Sequence, residues 1–260
     1  MRCGAAERGA EVFDLQKASF LKRASAFLFD GILIGVLAVG FGFLLSLLLN
    51  YDGSYARLSG LYDKYEQKYR ISFDIADGDY AALDEETLER YEKAYSELNA
   101  DGEANAAFSM VVYLSLIIIT FGVLLAYMAL EFVVPLFLKN GQTLGKKIFG
   151  IAVMRTDGIR ISPLILLIRT LLGKYTIETM TPILVVFLTV FAGLGYIGLV
   201  ALAGLALLQI LLMAFTKTNS AIHDVLARTV VVDLASQMIF DDEQHKRQKL
   251  EEYASYNPYG

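Results

Sequence analysis

TMTPILVVFLTVFAGLGYIGLVALAGLALLQILLMAFT, residues Thr179–Thr216, carries no charged side chain in 38 positions. As one helix it would be about 57 Å long at about 1.5 Å per residue. That is nearly twice a hydrocarbon core of about 30 Å. Gly193-Leu194-Gly195 lies near its middle, where glycine lets the chain turn. The stretch therefore reads as two shortish helices, 177–193 and 196–216, with one overlong span as the alternative.

Elsewhere in the chain, Phe27–Leu49 holds one charge (Asp30) and Phe108–Leu138 holds one (Glu131). Each exceeds the roughly 20 apolar residues that cross a bilayer. Three such stretches exclude a soluble globular protein, although the chain as a whole is 55% hydrophobic and 20% charged, with a mean hydropathy of +0.48. The first stretch is too long and begins too late for a cleaved signal, and no A-x-A-like site follows it. The single cysteine, Cys3, leaves no intrachain disulfide framework and no cysteine-built metal site. A net charge of −5 argues against nucleic-acid binding, which needs a basic footprint.

Charge placement chooses between three and four crossings. Arg2, Arg8, Lys17, Lys22 and Arg23 precede the first span, whereas residues 50–107 carry six Lys/Arg against fourteen Asp/Glu. Residues 139–176 carry seven Lys/Arg and one acid, Asp157, and five further basic residues follow Thr216. The positive-inside rule places the basic segments in the cytoplasm and 50–107 outside, which requires an even number of crossings in 177–216. The expected fold is thus an all-α polytopic membrane protein of the bacterial cytoplasmic membrane with four transmembrane helices, three being the alternative. Its segments are a cytoplasmic 1–23, helix one (24–49), an extracytoplasmic 50–107, helix two (108–138), a cytoplasmic loop (139–176), helices three and four (177–216) and a cytoplasmic 217–260.

Inside 50–107, Tyr55, Leu58, Tyr62, Tyr65 and Tyr69 recur at helical spacing, as do Leu88, Tyr91, Tyr95 and Leu98. They predict an amphipathic α-hairpin, with Asp84 as an N-cap and Leu83 and Leu88 as a hydrophobic staple. Its tyrosines serve either packing between the two helices or a partner surface. Asp74, Asp77 and Asp79 lack EF-hand spacing. In the cytoplasmic loop, Ile148–Met154 and Ile159–Ser162 flank Asp157-Gly158, a β-hairpin signal, and Thr229–Val232 is a possible third strand. Pro163 opens Leu164–Lys174, an apolar stretch containing Arg169 that reads as a helix lying in the membrane surface.

Intramembrane charge is costly and is functional or tightly paired. Asp30 lies on the stripe of Arg23, about two turns on, and Glu131 lies eight residues before Lys139. Both carboxylates fall about 10–12 Å inside the cytoplasmic boundary. They form either an ion or proton site or a structural network neutralised by Arg23 or Arg169. Gly141-Gln142-Thr143-Leu144-Gly145-Lys146-Lys147 fails as a phosphate loop: it has three residues between glycines, and Lys147 stands where Ser or Thr should bind magnesium. His223 beside Asp224 has no nucleophile placed by any motif, and His245 lies in a charged tail. No catalytic, zinc or dinucleotide constellation assembles, so neither enzyme activity nor a cofactor is expected.

Taken together, the motifs resemble the RDD family of bacterial membrane proteins, named for an arginine and two aspartates. Phe20-Leu21-Lys22-Arg23-Ala24-Ser25-Ala26-Phe27-Leu28-Phe29-Asp30 is similar to its first signature, which gives Arg23 and Asp30 the first two named positions. Gly141–Gly150 is similar to the central motif, and Arg169 matches an arginine that often follows. His223–Val232 is similar to the closing motif, with Asp224 as the second aspartate. The resemblance covers about 20–50, 130–175 and 215–233, and span number varies within the family. It implies that Gly141–Gly150 is a structural cytoplasmic turn, and it implies transport, including sodium–proton antiport, as suggested for some members. Two functions therefore compete: transport of a monovalent cation or proton near Asp30 and Glu131, with oligomerisation to complete a pathway, and a non-enzymatic scaffold holding a membrane partner protein through the hairpin.

Overall fold

The computed structural model describes residues 15–256 except 77–79, 81, 82, 139, 192 and 217. Cys3, Asp77, Asp79, Lys139 and Lys217 thus lie outside the described residues. In chain order the elements are α1 (Phe20–Leu48), α2 (Tyr51–Tyr69), α3 (Glu85–Ala100), α4 (Gly102–Leu138), α5 (Leu144–Ile148), β1 (Ile151–Arg155), α6 (Pro163–Val190), α7 (Gly195–Phe215), α8 (Ile222–Ala227), β2 (Thr229–Asp233) and α9 (Glu243–Tyr256).

Four of these, α1, α4, α6 and α7, are long and apolar enough to cross a membrane. Their outward side chains include Phe27, Leu48, Phe137 and Tyr196, between 67% and 87% exposed. Such faces suit lipid rather than water. The break expected at Gly193-Leu194-Gly195 is present: both glycines take positive φ, 72° and 50°, and the chain turns from α6 into α7 there.

The chain divides into two compact units. Ala38–Gly122 contains the amphipathic hairpin. Asp84 caps α3 by accepting from Thr87 N at 2.6 Å. Leu58 of α2 packs with Ala107 and Val111, while Tyr65 packs with Leu98 and Ala104. Tyr65 also donates to Asp101 at 2.9 Å, and Tyr91 donates to the Ser72 carbonyl at 2.6 Å. The predicted stripes therefore meet each other and the first turns of α4.

The second unit, Met1–Leu37 with Val123–Gly260, is built on a small sheet. Here the pairing differs from the expected hairpin. The turn forms at Asp157-Gly158, but only a Met154–Arg160 bridge closes it. The strand partner of β1 is β2, antiparallel, with Val153 opposite Val231. Residues Ile151–Met154 and Val230–Val232 are buried, and the run Ile159–Ser162 expected to pair with β1 is bridged to it only at Arg160, with Ile159 bridging to Phe240 instead. Lys17 bridges to Val232 on the other edge, with Ala18 N donating to Val231 O at 3.1 Å.

A second difference concerns the third span. The surface-lying helix expected over Leu164–Lys174 and the span expected from residue 177 form one continuous helix from Pro163. Ser162 caps it and Pro163 occupies its first turn, where the missing N–H is harmless. From Arg169 to Met180 the backbone hydrogen bonds run i→i+5, a wider coil that marks functional stretches elsewhere in proteins. Met128–Val133 of α4 adopts the same coil. Arg169 and Lys174 need no headgroups because acids on other elements receive them.

Candidate functional site: a buried charge network

Asp30, on α1, is 3% exposed and ends on the start of α5. Thr143, the N-cap of that helix, donates to Asp30 Oδ2, and Gly145 N donates to Oδ1 at 2.8 Å. A carboxylate there satisfies backbone donors that a helix start leaves open. Gly145 is required for the approach: a Cβ would stand 2.6 Å from Ala26 O and 2.9 Å from the Asp30 carboxyl. Gly141, with φ 60°, likewise abuts Val153 and Ile161, and Gln142 donates to Ile151 O at 2.9 Å. The Gly141–Gly150 motif is thereby a packed structural turn against α1 and β1, as the resemblance implied.

From Thr143 the network continues to Lys146, whose Nζ lies 3.2 Å from Thr143 Oγ1 and 3.4 Å from Glu131 Oε2. Glu131, 1% exposed, is also ion-paired with Lys174 and lies 3.8 Å from Arg169 Nη1. Arg169 in turn donates from Nε to Asp224 Oδ1 at 3.0 Å. Thr229 donates to the same oxygen at 2.9 Å, and Arg23 Nη2 stands 3.8 Å from Oδ2. All five residues singled out from the sequence (Arg23, Asp30, Glu131, Arg169 and Asp224) thus join one linked, almost dry cluster.

Local backbone repairs hold the network in place. Pro135 cannot supply the N–H that the Glu131 carbonyl would accept one turn on. Thr170 of α6 donates to that carbonyl instead, at 2.9 Å. Gly173 allows α8 to press on α6: a Cβ there would stand 2.5 Å from His223 Cβ and 2.7 Å from its Cα.

Outside the spans, the electrostatics follow from burial and pairing. Burial alone would push the Asp224 carboxyl up, but Arg169 and His223 outweigh it and hold the group below the usual carboxylate range. Burial lowers the Lys146 ammonium to about 8, against the pull of Glu131. His223 is likewise pushed below its ordinary value by burial. Its Nδ1 sits 2.8 and 2.7 Å from the two Glu178 oxygens and so carries the proton, while Nε2 faces Asp224 Oδ2 at 3.5 Å. That oxygen makes no hydrogen bond among the described residues.

Glu178 is the feature that sequence reasoning missed. It lies one residue before the charge-free run Thr179–Thr216, and Lys174, four residues earlier on the same helix, falls in the stretch expected at the membrane surface. His223 N and Gln209 Nε2 donate to Glu178 Oε1 at 3.1 and 3.4 Å. Beside the carboxyl lies a cleft of about 390 Å³ lined by Phe27, Tyr127, Glu178, Leu205, Gln209 and Ile222, among others. Residues of all four candidate spans reach it. Among the described residues no group of three His, Cys, Asp or Glu is placed to hold a metal ion.

The RDD family model matches residues 17–228 of this chain. No curated protein and no solved structure matches it.

Proposed function

The chain belongs to the RDD family, and from that premise we propose that it is a non-enzymatic transport component that exchanges a monovalent cation against a proton at Glu178 and His223. The observation behind this reading is the cleft: Glu178 opens into a space to which all four candidate spans contribute. Asp30 and Glu131, readable from the sequence either as an ion or proton site or as a structural network, are closed by a helix start and by cations. They act as the frame and Glu178 as the exchange group. Arrangement follows the positive-inside rule in a bacterial cytoplasmic membrane, with both termini and the sheet inside and the hairpin outside. Oligomerisation would supply what a four-helix protein lacks for a complete pathway.

Proteoliposomes containing a pH dye provide the test, with external sodium, potassium or benzyltrimethylammonium added in turn. The expected result is a cation-driven change of internal pH that Glu178→Gln abolishes. No response to any cation overturns transport, and an unchanged response in Glu178→Gln overturns the site.

A second reading, a scaffold holding a membrane partner, draws on Tyr55 and Tyr95, which stay 56% and 42% exposed on the hairpin. Crosslinking through those tyrosines should then recover one reproducible partner, and deleting 54–99 should lose it.

A further inference from the structure

We propose that the cation taken by the Glu178 cleft is organic: a quaternary or protonated amine, or a phosphonium, with an apolar body. The inference rests on the exchange reading for its physiological use, but the binding step stands on the cleft alone.

The oxygen atoms around the cleft are already engaged. Glu178 Oε1 accepts from His223 N and Gln209 Nε2, and Oε2 lies 2.7 Å from the protonated His223 Nδ1. Gln209 Oε1 accepts from Ile222 N at 3.1 Å. Thr179 Oγ1 donates to Lys174 O at 2.9 Å and pairs with the Tyr127 hydroxyl at 2.9 Å. A small inorganic cation stripped of water needs several free oxygens in its place, and desolvating it without them is costly. This lining offers no such cage.

An organic cation meets different demands. Its charge is spread and weakly hydrated, and its body buries apolar surface as it enters. Phe27, Leu202, Leu205 and Ala206 supply that surface, and aromatic faces attract cations. The volume of about 390 Å³ lies within the range of small-molecule sites.

Glu131 has Lys146, Lys174 and Arg169 within 4 Å, and Asp224 has Arg169 and Arg23. Within 4 Å Glu178 has only His223 among the described residues, Lys174 acting from farther off, and the single imidazole proton between them leaves the pair negative when the ring is neutral. Unlike Asp30, Glu131 and Asp224, Glu178 lines the cleft, where a bound cation adds positive charge beside it.

Equilibrium dialysis of the purified full chain in detergent against radiolabelled tetraphenylphosphonium tests the proposal, with isosteric tetraphenylborate as competitor. Saturable binding is expected, weakened at least tenfold in Glu178→Gln and in Leu205→Trp, which fills the cleft but keeps the acid. Tetraphenylborate should not compete. Wild-type protein without saturable binding, or unchanged affinity in both variants, overturns the proposal. Equal competition by the anion also overturns it and assigns the cleft to uncharged apolar matter such as an acyl chain. If tetraphenylphosphonium fails to bind while sodium still drives a Glu178-dependent pH change, this inference falls and the exchange reading survives. Binding without any cation-driven pH change has the reverse meaning.

Discussion

Taking Arg169 away strips Asp224 of its hydrogen-bonded cation, because the 1% exposed guanidinium donates to that carboxylate, while Glu131 keeps Lys146 and Lys174. Leaving a buried ion without its partner costs about 3–5 kcal/mol. Arg169→Met should lower the unfolding free energy of the purified protein, read from denaturant titration, by that order. Adding Asp224→Leu should recover part of the loss, since apolar packing can replace a buried pair. A second expectation concerns pH. His223 is held below its ordinary value of about 6.5, so the folded state binds fewer protons than the unfolded one just beneath that value. Stability should fall as pH drops through this window and level off above it. Asp224, depressed below its ordinary value of about 3.9, adds stability at higher pH that is lost on stronger acidification. His223→Gln, which keeps an N–H for Glu178, should erase the first decline and keep the second when melting is followed against pH. An identical first decline in the variant would refute the assignment. Arg23, Asp30, Glu131, Arg169 and Asp224 were readable in the sequence, four as isolated charges in or beside apolar runs and Asp224 through the resemblance. Glu178 and Lys174 sit at the edge of such a run, where a charge is unremarkable, and nothing local to Lys146 announces its burial.

Close approach between α6 and α8 depends on a single missing methyl. At Gly173 an alanine Cβ would meet His223 Cβ and Cα inside contact distance, and α8 backbone cannot step aside as a long side chain would. Gly173→Ala should destabilise the protein by about 1–3 kcal/mol through overpacking. It should also perturb cation binding at the cleft, because the displaced residue is the one holding Glu178. Thermal melting together with dialysis reads both effects, and a wild-type melting profile would show that α8 is free to shift. Helices declared themselves through apolar length, three-and-four spacing and caps such as Asp84. Strand pairing did not. The Asp157-Gly158 signal is local and correct as a turn, yet β1 chose β2, some 75 residues further on, because only that partner continues its buried ladder. The continuation of α6 through Arg169 was hidden for a related reason: its cations are answered by Glu131 and Asp224, residues remote in the chain.

On the scale of the molecule, charge asymmetry and helix count agree on an even number of crossings. Orientation can be measured with single cysteines on a Cys3→Ser background. Ser72→Cys on the hairpin should react with an impermeant maleimide in intact cells, and Ser236→Cys after β2 should react only once the membrane is permeabilised. The opposite pattern inverts the molecule. Labelling of both positions from one side would remove one span. The order in which the network is synthesised has its own consequence. Arg169 precedes Asp224 by 55 residues, and β1 and Lys17 wait for β2. At about 5–20 residues per second, translation leaves Arg169 without Asp224 for roughly 3–11 s. During that interval the early spans hold charges whose final counterions have not been made. Until His223–Asp233 is made, Arg169 has Glu131 as its acid and Arg23 lacks Asp224, so the network can close only at the end of synthesis.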